Sequence, residues 1–177
     1  MQNKIETARL IISDATLDEC DELQSICESW DDKKLMEGDD FDPGFIKKCL
    51  TVGDLPPLPD ATKDNYRLKS IRLKESEKLI GFTDLYFGYP DKDTAWISIF
   101  MISKDYRKSG YAQEAIESVF TECTRDNFKN IGIGVFLKNW RGLRFWTKAG
   151  FTEVHGISGD ADYSENTFAF IRLMKRL

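Results

Sequence analysis

The sequence predicts an α/β protein: a mixed, mostly antiparallel central sheet of about seven strands with helices on both faces. Three observations predict it. Residues 66–73, 79–87 and 95–102 are rich in β-branched and aromatic side chains and are separated by charged, Gly, Pro and Asp turns, which reads as an antiparallel meander. Directly after them Ala112, Ala115, Ile116, Val119, Phe120 and Cys123 recur at helical spacing. Over the whole chain the order of candidate elements is β-α-α-β-β-β-α-β-α-β-β, which calls for layers of helix on a mixed sheet.

The first strand is a short apolar run at residues 8–12. Thr16 and Glu19 then have capping-box spacing, and Leu17, Cys20, Leu23, Cys27 and Trp30 form one buried stripe of a helix of about four turns. Residues 31–42 form an acidic loop, after which Asp42 as N-cap and Pro43 at the first helical position open a second helix that runs through Leu50 and closes at Gly53. Three prolines in residues 54–59 exclude a helix interior or a central strand and predict a rigid loop, with the acidic loop a candidate lid. Past the meander and the long helix, residues 131–137 alternate as a strand in which Gly132 and Gly134 leave one face open at the backbone. Residues 139–149 form a helix with Gly150 in the usual C-terminal position, and strands at 151–155 and 167–173 follow. No period of 20 to 50 residues repeats and no low-complexity tract breaks the chain, so residues 1–177 are expected to be one domain.

Hydrophobic residues make up 41% of the 177, enough for a core without disulfide or metal staples. Charge is divided along the chain: residues 1–64 carry 16 acidic and 7 basic side chains, and residues 65–177 carry 14 and 18. A sequence pI near 5.0 argues against a general nucleic-acid binder but leaves a small anionic ligand open near the basic part. Apolar runs fall short of a membrane span and the first residues lack a secretory pattern, so no membrane partner and a cytoplasmic location are expected. The four cysteines show neither CxxC nor zinc spacing and read as reduced core thiols. With His155 the only histidine, neither a metal site nor a Ser/His/Asp triad is expected.

The informative junction is residues 101–112, where a strand passes through a basic, glycine-containing turn straight into a helix. Free amides and the positive dipole end make such a helix start an anion site. Gly110 admits close backbone approach, Ala112 keeps the helix near the sheet, and Arg107 and Lys108 add charge. About 30 residues later comes a helix reading Asn139-Trp140-Arg141-Gly142-Leu143-Arg144-Phe145-Trp146-Thr147-Lys148-Ala149-Gly150-Phe151. Together these resemble the GNAT superfamily of N-acetyltransferases. Arg107, Gly110 and Ala112 match its R/Q-x-x-G-x-G/A turn, while Asn139, Phe145, Lys148, Gly150 and Phe151 match its N-x-x-A-x-x-F-Y-x-K-x-G-F helix.

The resemblance implies a GNAT-like acyl-CoA N-acyltransferase fold and acetyl-CoA as co-substrate, with no metal. It implies that Arg107 and the amides of Lys108, Ser109, Gly110, Tyr111 and Ala112 hold the pyrophosphate, and that main-chain groups of Phe100, Met101 and Ile102 pair with the pantetheine arm. One of those strand amides would polarise the thioester carbonyl. Asn139 would contact the pantetheine or the attacking region, and Phe145, Trp146 and Lys148 complete the cofactor side. Two departures stand out. Gly142 replaces another small residue, and Trp146 stands where the family often has a tyrosine acid. An indole N–H is no proton donor at neutral pH, but a thiol of pKa about 8.5 can leave unprotonated.

The implied reaction is direct attack by a primary amine in a ternary complex. An ammonium group of pKa about 10.4 must first lose a proton, so a base is sought. Asp84 is one candidate, because a carboxylate inside an apolar strand is costly unless paired or useful; it could equally face solvent or pair with Arg72. Asp31, Asp32 and Glu37 of the acidic loop are others and suit a cationic acceptor. Tyr86 shares a strand face with Asp84 and is expected to line the acceptor pocket, and Ser98 to carry a water. A small amine is expected ahead of a protein N-terminus or lysine. A non-catalytic acyl-CoA sensor and an interaction protein are the readings from other classes. Pairing of exposed edge strands would make a homodimer.

Overall fold

A computed structural model describes residues 1–177, and alternation in its strands builds a nine-stranded sheet. The strands are β1 (Lys4–Glu6), β2 (Leu10–Asp14), β3 (Tyr66–Leu73), β4 (Leu79–Phe87), β5 (Thr94–Ile97), β6 (Phe100–Ile102), β7 (Asn130–Phe136), β8 (Glu153–Gly159) and β9 (Ala169–Arg176). Their order is β1-β2-β3-β4-β5-β7-β9-β8, with β6 also on β4. Only β5 and β7 run parallel.

Two strands beyond the seven expected have simple origins. β1 folds back on β2 through Ile5 opposite Ile12, a hairpin too short to show periodicity. The expected strand at 95–102 is two strands, because the chain breaks at Ser98 and Ile99.

Helices α1 (Cys20–Glu28), α2 (Lys33–Glu37), α3 (Phe45–Thr51), α4 (Tyr111–Arg125) and α5 (Trp140–Lys148) complete the fold. The Thr16–Glu19 signal is present, with the Thr16 N–H donating to Glu19 Oε2 at 2.6 Å, but it opens a short 3-10 turn before α1. Leu17, expected in the buried stripe, is 63% exposed on that turn. Asp42 Oδ1 accepts from the Gly44 N–H at 2.6 Å, so α3 starts after a small turn and not at Pro43. The acidic loop contains the single-turn α2.

Leu23, Ile26 and Cys27 of α1 and Ile46 and Cys49 of α3 pack on Tyr66, Leu68, Phe82 and Met101. Ile116, Val119 and Cys123 of α4 and Trp146 of α5 meet Ile97, Ile131, Ile133 and Val135 in a second cluster. Full burial of each such side chain is worth about 1.5–3 kcal/mol before entropy is charged. Cys27, Cys49 and Cys123 are buried, and desolvation pushes their thiols up to about 12.

One consequence of the break in the strand organises the rest. β5 and β7 pair as far as Ile97 and Ile133. Beyond that point β6 stays on β4 while β7 continues along β9, so the sheet opens between β6 and β7. Gly81 allows β6 its close approach to β4, since a Cβ there would overlap the Met101 carbonyl oxygen.

Candidate active site

Two clefts meet at that opening. One, of about 210 Å³, lies between β6 and the helices α4 and α5, and Arg107, Arg141 and Ala112 help line it. The other, of about 310 Å³, lies beside the strand break and is lined by Ser98, Gly134 and the acidic side chains Glu37, Asp40, Asp42 and Asp54. Trp30, Phe100, Asn139 and Trp146 line both.

The turn before α4 is built for an anion. Lys108 and Gly110 adopt left-handed backbone at φ 64° and 82°, and no side chain caps the helix. The amides of Lys108, Ser109, Gly110, Tyr111 and Ala112 have no acceptor within the protein. Successive free amides in such a curl form an anion-binding concavity. The Arg107 guanidinium lies half-buried with Nε donating to the Ile102 carbonyl at 2.9 Å, while Lys108 is exposed. Burial, with Arg141 nearby, lowers the Arg107 pKa. Arg9 braces the turn from outside, donating to the Ser109 carbonyl at 3.0 Å and lying 4.5 Å over the Tyr111 ring. Free amides, nearby cations and an unpaired strand edge are the donor set that the phosphates and amide-bearing arm of a coenzyme A thioester require, so the residues fit that group.

Asn139 caps α5, accepting from the Gly142 N–H at 2.8 Å. That helix presents Phe145 and Trp146 to Phe100, whose ring stacks on Phe145 with centroids 5.7 Å apart. Trp146 is 8% exposed and packs edge-on against Phe100 and Phe151. An aromatic wall therefore stands where the two clefts join.

Several expected site residues are elsewhere. Asp84 is fully buried and does not line either cleft: Oδ1 accepts the Ser98 and Ile99 amides, each at 2.9 Å, and Oδ2 accepts the Tyr66 hydroxyl at 3.1 Å. Burial pushes this carboxyl up to about 7 despite the amides that lower it. A base sealed in this way has no contact with an amine in the cleft. It neither faces solvent nor pairs with Arg72, which binds Glu19 at 2.6 Å. Tyr86 is buried with its hydroxyl accepting the Thr62 N–H at 3.2 Å, away from the cleft, and Lys148 is exposed outside both. Asp31 and Asp32 line neither cleft: they pair with Lys104 at 2.7 Å and with Arg141, which lines the smaller cleft, at 2.5 Å.

Glu37 is in the acidic cleft as expected, where burial raises its pKa and Lys33, at 3.4 Å, only partly offsets this. Asp40 and Asp42, expected only as part of the acidic loop, and Asp54, which no sequence pattern singles out, join it there on loops, and Trp30, expected in the core, borders both clefts. Trp30 packs on Phe41, yet its indole N–H is buried without a partner beside both clefts. The backbone openness read at Gly132 is filled by Trp96 and Met174, whereas Gly134 does border the acidic cleft. No three or more His, Cys, Asp or Glu side chains are grouped so that they could hold a metal ion, and no helix is long and apolar enough to cross a membrane.

Comparison with solved structures places the fold. A probable GNAT-family acetyltransferase from Chromobacterium violaceum superposes with a TM-score of 0.76 at 13% identity, covering 98% of this chain and 86% of that one. Spermidine N-acetyltransferase from Vibrio cholerae, in complex with CoA and spermine, gives 0.71 at 13% identity and 96% of both chains. The ribosomal-protein-S18-alanine N-acetyltransferase of Escherichia coli gives 0.67 at 12% identity, with 94% of this chain and 93% of that one covered. No curated protein sequence matches the chain. The model of the acetyltransferase (GNAT) family matches residues 28–151, which include the strand break, the basic turn and the aromatic helix. On that match the chain belongs to the GNAT family of acetyl-CoA dependent acetyltransferases.

Proposed function

We propose that this protein, acting as one domain, transfers an acetyl group from acetyl-CoA to a primary amine of a small cationic molecule by direct attack in a ternary complex. The observation that carries the reading is the junction of a cleft bordered by cations and free amides with one lined by four carboxylates. Opposite charge on the two sides suits an anionic donor and a cationic acceptor. The spermidine acetyltransferase of similar fold supports a small amine, although likeness at 13% identity speaks to architecture.

When bound, acetyl-CoA supplies an acyl group already activated as a thioester. The amides from Lys108 to Ala112 hold its pyrophosphate, with Arg107 and Arg141 adding charge. The free edge of β6 hydrogen-bonds the pantetheine arm and orients the carbonyl. Phe100, Phe145 and Trp146 exclude water from the reacting centre. Asp40, Asp42 and Asp54 attract the acceptor, and Glu37, whose raised pKa brings it nearer neutrality, takes the proton that the ammonium must lose. Trp146 has no proton to give, so the thiolate would leave unprotonated and be neutralised by the second proton, which the attacking nitrogen sheds as the amide forms.

Titration calorimetry with acetyl-CoA and a dephospho analogue tests the donor site, and thiol release over an amine panel tests the acceptor. Binding that weakens without the phosphates, with turnover confined to polycationic or cationic amines, is expected. No binding at millimolar acetyl-CoA, or turnover favouring neutral amines, refutes the respective half.

A further inference from the structure

We propose that Asp84 is a positioning residue for the acetyl group: it fixes a one-residue bulge that makes the Phe100 N–H the first amide directed at the thioester carbonyl. The inference rests on the reading of the β6–β7 opening as the acyl-CoA site. Register defines the bulge. Thr83 pairs with Phe100 and Tyr86 with Trp96, so Asp84 and Leu85 of β4 face three residues, Ile97, Ser98 and Ile99.

An extra residue of this kind leaves backbone groups without ladder partners. Here Asp84 supplies them. Its Oδ1 takes both the Ser98 and Ile99 amides, while its own N–H and the Thr83 hydroxyl donate to the Ile99 carbonyl at 3.1 Å and 3.0 Å. The Tyr66 hydroxyl on Oδ2 holds the carboxylate in that orientation. Both polar backbone groups of Ile99 therefore point toward β4.

Backbone groups alternate in direction along a strand. With Ile99 turned toward β4 and Met101 paired with Phe82, the N–H and C=O of Phe100 and Ile102 point the other way, into the opening that β7 has left. The Ile102 carbonyl bears this out by accepting from Arg107 on that side. A slip of one residue would exchange the two sets and turn the Phe100 amide back into the sheet. No bond is made or broken at Asp84 itself. Its effect is on where a hydrogen-bond donor sits as negative charge develops on the carbonyl oxygen.

The test reads the carbonyl directly, its spectroscopic part needs no acceptor, and turnover is followed with an amine found by the panel above. Infrared difference spectra of [1-13C]acetyl-CoA bound at saturation are recorded for the native protein, Asp84→Asn, Asp84→Ala and Phe100→Pro, with CoA affinity measured by calorimetry. The native protein is expected to lower the carbonyl stretch, and Asp84→Asn, whose amide oxygen can still accept both amides, to preserve that shift. Asp84→Ala is expected to lose it while CoA affinity stays within about threefold, with kcat down about 10²-fold, the usual cost of one oxyanion donor. Phe100→Pro deletes the donor and keeps the Asp84 contacts, so it must lose the shift even where Asp84→Ala does not fold.

A retained shift in folded Asp84→Ala or in Phe100→Pro overturns the proposal. Loss of turnover and of its pH dependence in Asp84→Asn, with the shift intact, overturns it in favour of a base. Native protein that binds acetyl-CoA without a shift also overturns it, whereas native protein that binds no acetyl-CoA removes the cofactor reading beneath it.

Discussion

Asp32 is paired with an arginine that lines the smaller cleft, and its removal gives a quantitative test of the proposed donor site. The carboxylate holds Arg141 Nη2 at 2.6 Å and 2.5 Å, and the arginine lines the cleft alongside Arg107 and Ala112. A phosphate drawn to Arg141 must displace Asp32 or share the guanidinium with it. The two side chains are 30% and 58% exposed, so the pair is worth about 0.2–1 kcal/mol, not the several kcal/mol of a buried one. Releasing that energy corresponds to about 1.4- to 5-fold tighter CoA binding in Asp32→Asn. Calorimetric titration at low salt is expected to show the gain. At about 0.5 M salt, where screening is strong, it should shrink toward nothing. Arg141→Gln should weaken binding, and adding Asp32→Asn to it should give no gain, because the pair acts as a unit. Weaker binding in Asp32→Asn, or a gain indifferent to salt, would refute the placement of the phosphates beside Arg141.

Three further outcomes follow from local geometry. Gly110→Val forces a β-branched residue to φ 82°, at a cost of roughly 1–2 kcal/mol, and blocks the curl of amides; differential scanning calorimetry should show a Tm lower by roughly 2–8 °C, and acetyl-CoA binding should fall at least about tenfold. Asn139→Ala removes the cap of α5 and should cost about 1 kcal/mol in urea unfolding, with Asn139→Asp recovering most of it; equal stability of all three proteins would show that the cap contributes nothing. For Glu19, burial alone would raise the carboxyl, but the Thr16 amide and Arg72 overcome it and hold the pKa below the usual range. A lowered carboxyl contributes stability above its unfolded pKa and loses it as pH falls through the folded one, so the stability gap between native protein and Glu19→Gln should begin to narrow as pH falls below the ordinary glutamate pKa of about 4.3 and be lost further into acid. A gap that stays constant into strong acid would rule that linkage out.

The elements that periodicity could specify were legible. β3 and β4 have the bounds expected for them, and α4 and α5 depart by no more than about two residues, since their apolar stripes and the glycine after α5 are local signals. The break between β5 and β6 was not legible, because Ser98 and Ile99 continue an alternating pattern and the carboxylate that accepts the Ser98 amide lies 14 residues away. The same long-range pairing explains the expectation of a base at Asp84. Sequence shows a carboxylate in an apolar strand, whereas its purpose depends on which amides the sheet brings to it. The acidic cleft was half legible. The clustering of charge in residues 31–42 is visible, but the division of labour is not, since Asp31 and Asp32 turn to Lys104 and Arg141 while Glu37, Asp40 and Asp42 turn to the other cleft.

That division bears on how one acidic segment can serve two sides of a reaction. A loop lined only with carboxylates would repel a phosphorylated donor if all its charge lay over the cofactor cleft. Here Asp31 and Asp32 are matched by Lys104 and Arg141, and of the four carboxylates beside Ser98, Glu37, Asp40 and Asp54 are matched by Lys33, Lys34 and Lys48 at 3.4, 4.0 and 3.3 Å, which leaves Asp42 without a cation. What differs across the wall of Phe100, Asn139 and Trp146 is the lining itself, with Arg107 and Arg141 on one side and four carboxylates with Lys33 on the other. On the proposed reading this difference in lining would draw an anionic donor and a cationic acceptor toward the shared aromatic wall from opposite sides, and the pairing of Asp31 and Asp32 would spare the donor their repulsion.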